Sequence, residues 1–144
     1  SSLGKAMKAQ IVAPEDVAYI WEEVAPLLDK VQEHTEGEVE SDDFLEPLTH
    51  GDMQLWIATE NKNLHSVMIT QIIPYPQKQV LRVISLAGSD FKKLNQFQAM
   101  LESFAIKTGC TSLELWGRKG WKKLLPEWES NYIVYTKDLK YRMQ

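Results

Sequence analysis

Residues 53–90 read MQLWIATENKNLHSVMITQIIPYPQKQVLRVISLAGSD, and this stretch decides the fold. Apolar and β-branched residues dominate residues 53–59, 66–73 and 80–86, and residues 53–59 alternate in character, so three strands are predicted. Turn-forming residues separate them at 61–63 and 74–76. Because connections this short join antiparallel neighbours, the three strands are expected to form a meander that runs into a helix near Asp90.

The flanking sequence adds helices and further strands. Pro14 followed by two acids indicates a helix start, and apolar residues recur at helical spacing over residues 17–31. Pro26 lies within that stripe and predicts a kink or a break. Other patterns predict a strand at 9–13, short helices at 41–50 and 121–128, a helix at 91–105, and strands at 112–116 and 132–136.

The order of these elements predicts an α/β fold with a mixed, mostly antiparallel sheet flanked by helices on both faces. The strand at 112–116 follows a crossover helix, so it is expected to run parallel to the strand at 80–86. Ligands in open sheets bind where such neighbouring strands part. We therefore expect a ligand site at that junction.

Length and composition are those of one ordinary domain. The chain has 144 residues, 44% of them hydrophobic and 25% charged, with no apolar run long enough to span a membrane. We expect residues 1–7 to be an expression remnant or disordered N-terminus, residues 8–139 to form one domain and residues 140–144 to be a C-terminal tail. Cys110 is expected to be a small buried apolar residue, and the three histidines lack metal-ligand spacing, so no metal is predicted.

The charges fall into two blocks. Residues 33–46 carry seven carboxylates and no Lys or Arg, whereas residues 117–123 carry four cations and no acid. Such blocks are usually solvated faces, and recognition of a partner is the alternative. The net charge of −4 argues against a general nucleic-acid binder.

The predicted element order, with VISLAGSD at residues 83–90 leading into a helix, resembles the GCN5-related N-acetyltransferase (GNAT) superfamily. Residues 109–121, which read GCTSLELWGRKGW, add a likeness to small GNAT-like proteins of tailed bacteriophages. The resemblance implies a GNAT-like acyl-CoA acyltransferase fold, acetyl-CoA or another acyl-CoA as cofactor, and a small-molecule or protein amine as acceptor. It also implies the host cytoplasm as location, with association with the virion as an alternative.

We expect residues 85–90 to form the strand-to-helix turn, where the family's pyrophosphate motif is incomplete in this chain. With Gly88 on its central glycine, the motif's first position holds Ser85 and its last holds Asp90, whose carboxylate would cap the helix and repel phosphate. Lys92 and Lys93 follow, either as cations near a bound anion or as exposed lysines on the solvent face. The resemblance implies the following cofactor-binding residues: Ser85, Leu86, Ala87, Gly88, Ser89 and Arg118.

Catalytic candidates are few. Glu114 in the strand at 112–116 is a candidate base or a residue that simply faces water, and Tyr132 is the nearest candidate donor to the leaving thiolate. Thr70 and Tyr75 are pocket candidates or packing and turn residues. The segment at 117–121, with tryptophans nearby, is either a phosphate or nucleic-acid contact or a turn with core anchors.

Two functions follow from the sequence. The first is a GNAT-like acyl-CoA-dependent N-acyltransferase whose pyrophosphate loop is degenerate. The alternative is a non-catalytic phage protein with an acetyltransferase fold, acting as a virion-associated or host-interaction module with a phage or host protein as partner.

Overall fold

The computed structural model describes residues 7–32, 40–88, 94–115, 127–129 and 137. Their strands are β1 (Met7–Val12), β2 (Gln54–Glu60), β3 (Asn63–Pro74), β4 (Gln79–Gly88) and β5 (Ser112–Leu115). The helices are α1 (Val17–Gln32), α2 (Leu45–Thr49) and α3 (Leu94–Lys107), with single 3₁₀ turns at Pro14–Asp16 and Ser41–Phe44. None of the helices in these ranges is long and apolar enough to cross a membrane.

The strands form one five-stranded sheet in the order β1-β2-β3-β4-β5. The first four are antiparallel neighbours, whereas β5 pairs with β4 in parallel after the α3 crossover. Asn61 and Lys62, at φ 52° and 67°, form the two-residue turn between β2 and β3, the backbone conformation that matches the twist of a hairpin. The predicted α/β fold with a mixed, mostly antiparallel sheet is confirmed.

Each face of the sheet carries its own core. On one face, α1 and α2 cover a cluster that we call the α1-face core: Val17, Trp21, Val24, Leu28, Phe44, Leu48, Leu55, Ile57, Val67, Ile69 and Ala87. On the other, α3 covers the α3-face core: Trp56, Ala58, Met68, Leu81, Val83, Phe97, Leu101, Ala105 and Cys110. Cys110 is 6% exposed, which confirms its predicted burial.

Strand β2 is buried on both faces of the sheet, and its hydrophobic pattern reflects this. We predicted alternation over residues 53–59, but residues 55–58 are all buried. Helices cover both faces of the central strands, so inward and outward positions are equally apolar. The sequence of β2 therefore shows a continuous apolar run.

The predicted break at Pro26 does not occur, because α1 continues through this residue to Gln32. A proline inside a helix costs about 3 kcal/mol. Val24 and Leu28, on either side of it, are fully buried in the α1-face core, and burying such a side chain contributes about 1.5–3 kcal/mol each. Packing on both sides of the proline offsets its cost.

Several predicted elements lie outside the described residues. These are the remnant or disordered N-terminus at 1–7 apart from Met7, the strand at 132–136 and the tail at 140–144. Of the helix predicted at 121–128, Glu127 and Trp128 are described, and they lie in a turn. The side chain of Trp128 packs against the α3-face core.

Candidate functional site

We predicted a ligand site where β4 and β5 part, and the described pairing of these two strands ends at Leu115, the last described residue of β5. The parallel ladder runs from Val80 opposite Ser112 to Val83 opposite Leu115. β4 then continues to Gly88 with β3 as its partner on one side. Within the described residues, no strand pairs with the other side of residues 84–88. We call this side the free edge of β4.

A β-bulge directly follows the last described pair of β4 with β5. Ile69 is opposite Ser85 and Thr70 is opposite Val83, so Ile84 is an extra residue on β4. A bulge bends its strand and increases the local twist. It therefore turns the rest of β4 away from the direction in which β4 and β5 are paired. An unpaired strand edge of this kind offers backbone N–H and C=O groups to an extended ligand.

Gly88 belongs to the strand, which is a correction to our sequence analysis. We expected β4 to end at Leu86 and a turn to contain residues 85–90, but β4 runs through Gly88. The residue has φ +140°, and a Cβ there would lie 2.7 Å from Ser66 Oγ and 2.9 Å from the His65 carbonyl oxygen. Close approach of β3 thus requires glycine at this position, whether or not a ligand binds.

The other predicted cofactor-binding residues of β4 differ in their surroundings. Leu86 packs against the α3-face core and Ala87 lies in the α1-face core. Ser85 is 6% exposed, and its Oγ is the buried side-chain polar atom without a hydrogen-bond partner in the described part of the chain. The predicted residues Ser89, Asp90, Lys92, Lys93, Arg118 and Tyr132 lie outside the described residues.

Glu114 does not simply face water. It lies opposite Arg82 in the parallel ladder, and its Oε1 forms an ion pair with Arg82 Nε. The two side chains are 22% and 19% exposed. The hydroxyl of Tyr75 donates to Glu114 Oε2 at 3.3 Å and accepts from Arg82 Nη2 at 3.0 Å. We call these three residues the Arg82 cluster.

Arg82 was not among the residues predicted from the sequence, although a signal for it exists. It is the charge within the apolar run VLRVI, and Glu114 is the charge within LEL. Parallel pairing places both in one row, but the register that does so is set by the fold. Because Leu81 and Val83 face the α3-face core, Arg82 and Glu114 project from the opposite face, which is also the face of α1.

Thr70, a pocket candidate from the sequence, is a packing residue. It is fully buried, its Oγ1 accepts a hydrogen bond from Trp56 Nε1 at 2.9 Å, and it donates to Gln54 Oε1 at 2.8 Å. Its hydroxyl therefore serves as both donor and acceptor within the sheet.

The groove found on the surface lies away from the free edge of β4. An open groove of about 380 Å³ lies between α1 and the segment at 41–50, lined by Ala18, Asp42, Leu45, Glu46, Thr49 and His50. No residue of β4 or β5 lines it. Within the described residues, no three His, Cys, Asp or Glu side chains are grouped to hold a metal ion.

No protein-family model and no curated protein sequence matches this chain. Solved structures do match along nearly all of it. A GCN5-related N-acetyltransferase from Ralstonia eutropha JMP134 is 13% identical with a TM-score of 0.69, covering 92% of this chain and 99% of that one.

Two further structures were solved with small molecules. The aminoglycoside acetyltransferase meta-AAC0020 from an uncultured soil metagenomic sample, in complex with sisomicin, is 15% identical with a TM-score of 0.67, over 93% of this chain and 97% of that one. A predicted acetyltransferase from Clostridium acetobutylicum with acetyl-CoA is 12% identical with a TM-score of 0.66, over 94% and 96%. At these identities the likeness establishes the fold, which is the GNAT acyl-CoA acyltransferase fold.

Proposed function

We propose that this chain is an acyl-CoA-dependent N-acyltransferase that binds its acyl donor along the free edge of β4. The observation that carries the proposal is the bulge at Ile84, which directly follows the last described pair of β4 with β5. A structure of the same fold solved with acetyl-CoA supports the choice of donor. The pantetheine arm of CoA contains amide groups that can pair with a strand edge as a further strand would.

The phosphates of the donor need N–H groups or cations near the end of β4. In this proposal the backbone of residues 85–89 and the guanidinium of Arg118 supply them. The side chains of Leu86 and Ala87 do not contact the phosphates, because they pack in the α3-face core and the α1-face core. A planar guanidinium binds phosphate through paired hydrogen bonds. Asp90 makes the site weaker than a complete glycine-rich loop would, because its carboxylate competes for the same N–H groups.

The proposed reaction transfers the acyl group to a small-molecule amine. The amine nitrogen attacks the thioester carbonyl carbon, the C–N bond forms, the C–S bond breaks, and the thiolate takes up the proton that the nitrogen loses. Glu114 and Tyr132 remain the candidate base and thiolate donor. Glu114 is already held by Arg82 and Tyr75, so an acceptor amine would bind beside this cluster. The neighbour solved with sisomicin supports a small amine-bearing acceptor.

Calorimetric titration with acetyl-CoA and CoA tests the proposal. We expect micromolar binding, and Arg118→Ala should weaken it by about 1.5–3 kcal/mol with an unchanged melting temperature. Lys119→Ala is the matched control, since it removes a neighbouring charge without a planar fork and should cost at most about 1 kcal/mol. Equal effects of the two substitutions would reduce Arg118 to a contributor of general charge.

Absence of binding by both ligands would favour the alternative function. The protein would then be a non-catalytic phage protein of the host cytoplasm or the virion, acting on a phage or host partner. The carboxylates of residues 33–46 are the feature of the sequence that favours this alternative. In that case, reversing Glu36, Glu38 and Glu40 to Lys should slow association with the partner in a salt-dependent way.

A further inference from the structure

Ser85 combines burial with an unsatisfied hydroxyl. Its Oγ has no hydrogen-bond partner, although the residue is 6% exposed. The other buried hydroxyls of the central strands are satisfied: Ser66 Oγ lies 2.8 Å from His65 Nδ1, and Thr70 Oγ1 bonds both Trp56 and Gln54. A buried polar group without a partner costs about 1–3 kcal/mol. An alanine at position 85 would avoid that cost, so the hydroxyl requires another explanation.

The position of Ser85 indicates what that explanation is. It follows Ile84, the extra residue of the bulge, and so lies at the start of the free edge of β4. It is opposite Ile69, whose side chain lies in the α1-face core, and opposed residues of an antiparallel pair project from the same face. Ser85 therefore shares a face of the sheet with Arg82 and Glu114.

We infer that the Ser85 hydroxyl donates a hydrogen bond to the carbonyl oxygen of the bound acyl thioester. This inference rests on the proposed function, because it places the thioester where β4 leaves β5. When an amine attacks the thioester, the carbonyl oxygen gains negative charge before the C–S bond breaks. A fixed, dry donor beside that oxygen stabilises the charge more than water does. The Ser85 hydroxyl, which has no partner among the described residues, then gains one when the acyl thioester binds.

Calorimetry with acetyl-CoA and with S-ethyl-CoA, a thioether that lacks the carbonyl oxygen, tests the inference without knowledge of the acceptor. The affinity ratio of the two ligands measures what the carbonyl contributes. In Ser85→Ala we expect this ratio to fall by about three- to tenfold, as loss of one hydrogen bond predicts. The melting temperature of Ser85→Ala should equal or exceed that of the parent, because the substitution removes an unsatisfied group.

Ser66→Ala is the matched control, since it also removes a buried serine hydroxyl from this sheet, but one with a partner. It should lower the melting temperature and leave the affinity ratio unchanged. A ratio that is the same in Ser85→Ala and the parent, with both ligands bound, would overturn the role of Ser85 alone. A lower melting temperature for Ser85→Ala with an unchanged ratio would show that its hydroxyl is structural. Failure of the parent to bind acetyl-CoA, CoA and S-ethyl-CoA would overturn the proposed function and this inference together.

Discussion

Replacing Gly88 by alanine should destabilise the protein strongly and for two separable reasons. The backbone at φ +140° is a conformation that residues with a Cβ rarely adopt, and holding one there costs about 1–3 kcal/mol. The new Cβ would also lie 2.7 Å from Ser66 Oγ and 2.9 Å from both Ser66 Cβ and the His65 oxygen. Since two of these neighbours belong to the β3 backbone or its first side-chain atom, β3 must shift, and such overpacking costs about 1–3 kcal/mol more.

The two contributions can be separated with Gly109→Ala. Gly109 also has positive φ, at +85°, but a Cβ there would be 3.8 Å from its nearest neighbour, Gln79 Nε2. Gly109→Ala should therefore cost about 1–2 kcal/mol from backbone strain alone. Gly88→Ala should cost about 2–6 kcal/mol in total, a large part of the stability of an ordinary domain.

Urea unfolding followed by far-ultraviolet circular dichroism measures both changes in the free energy of unfolding. Adding Ser66→Gly to Gly88→Ala removes two of the three close contacts and should recover about 1 kcal/mol. If Gly88→Ala costs no more than Gly109→Ala, the steric account of Gly88 is wrong. If the account holds, loss of CoA binding in a Gly88 variant says nothing about phosphate contacts, because the sheet itself is disturbed.

Three other predictions follow from the described contacts. Thr70→Val should lower the free energy of unfolding by about 1–3 kcal/mol, because it leaves the buried indole N–H of Trp56 without an acceptor. A decrease in the free energy of unfolding no larger than that caused by a substitution at an exposed position would contradict this. Arg82→Ala and Glu114→Gln should each cost about 1.5–3 kcal/mol, and the double variant less than their sum, since both break one ion pair; fully additive losses would show that the two residues act separately. The thiol of Cys110, 6% exposed, should react with a disulfide reagent only when the protein unfolds, and rapid reaction of the native protein would contradict its burial.

Much of the fold was predictable because it depends on local patterns. The meander follows from apolar runs separated by short turns, and the parallel β5 follows from a crossover helix of one handedness. Boundaries were less predictable. The end of β4 was placed two residues early, at Leu86 rather than Gly88, because glycine in a sequence suggests a turn and does not reveal that another strand lies against it.

The candidate site was predictable only in part. The sequence predicted a ligand site where β4 and β5 part, which stays a prediction, because the described pairing of the two strands ends at Leu115, the last described residue of β5. The sequence did not reveal the bulge at Ile84, because a bulge is a mismatch in the pairing of two strands. Neither strand shows it in its own sequence. The unsatisfied hydroxyl of Ser85 was likewise invisible, since satisfaction of a polar group depends on every neighbour it has in space.

The sequence by itself determined the antiparallel meander, the parallel strand after the crossover helix and the presence of helices on both faces of the sheet. These depend on spacing, turn residues and side-chain character over a few residues. Only the tertiary structure decided that α1 passes through Pro26, that Arg82 meets Glu114, and why residue 88 is glycine. Each of these is settled by contacts between segments far apart in the chain, where packing outweighs the local preference of any single residue.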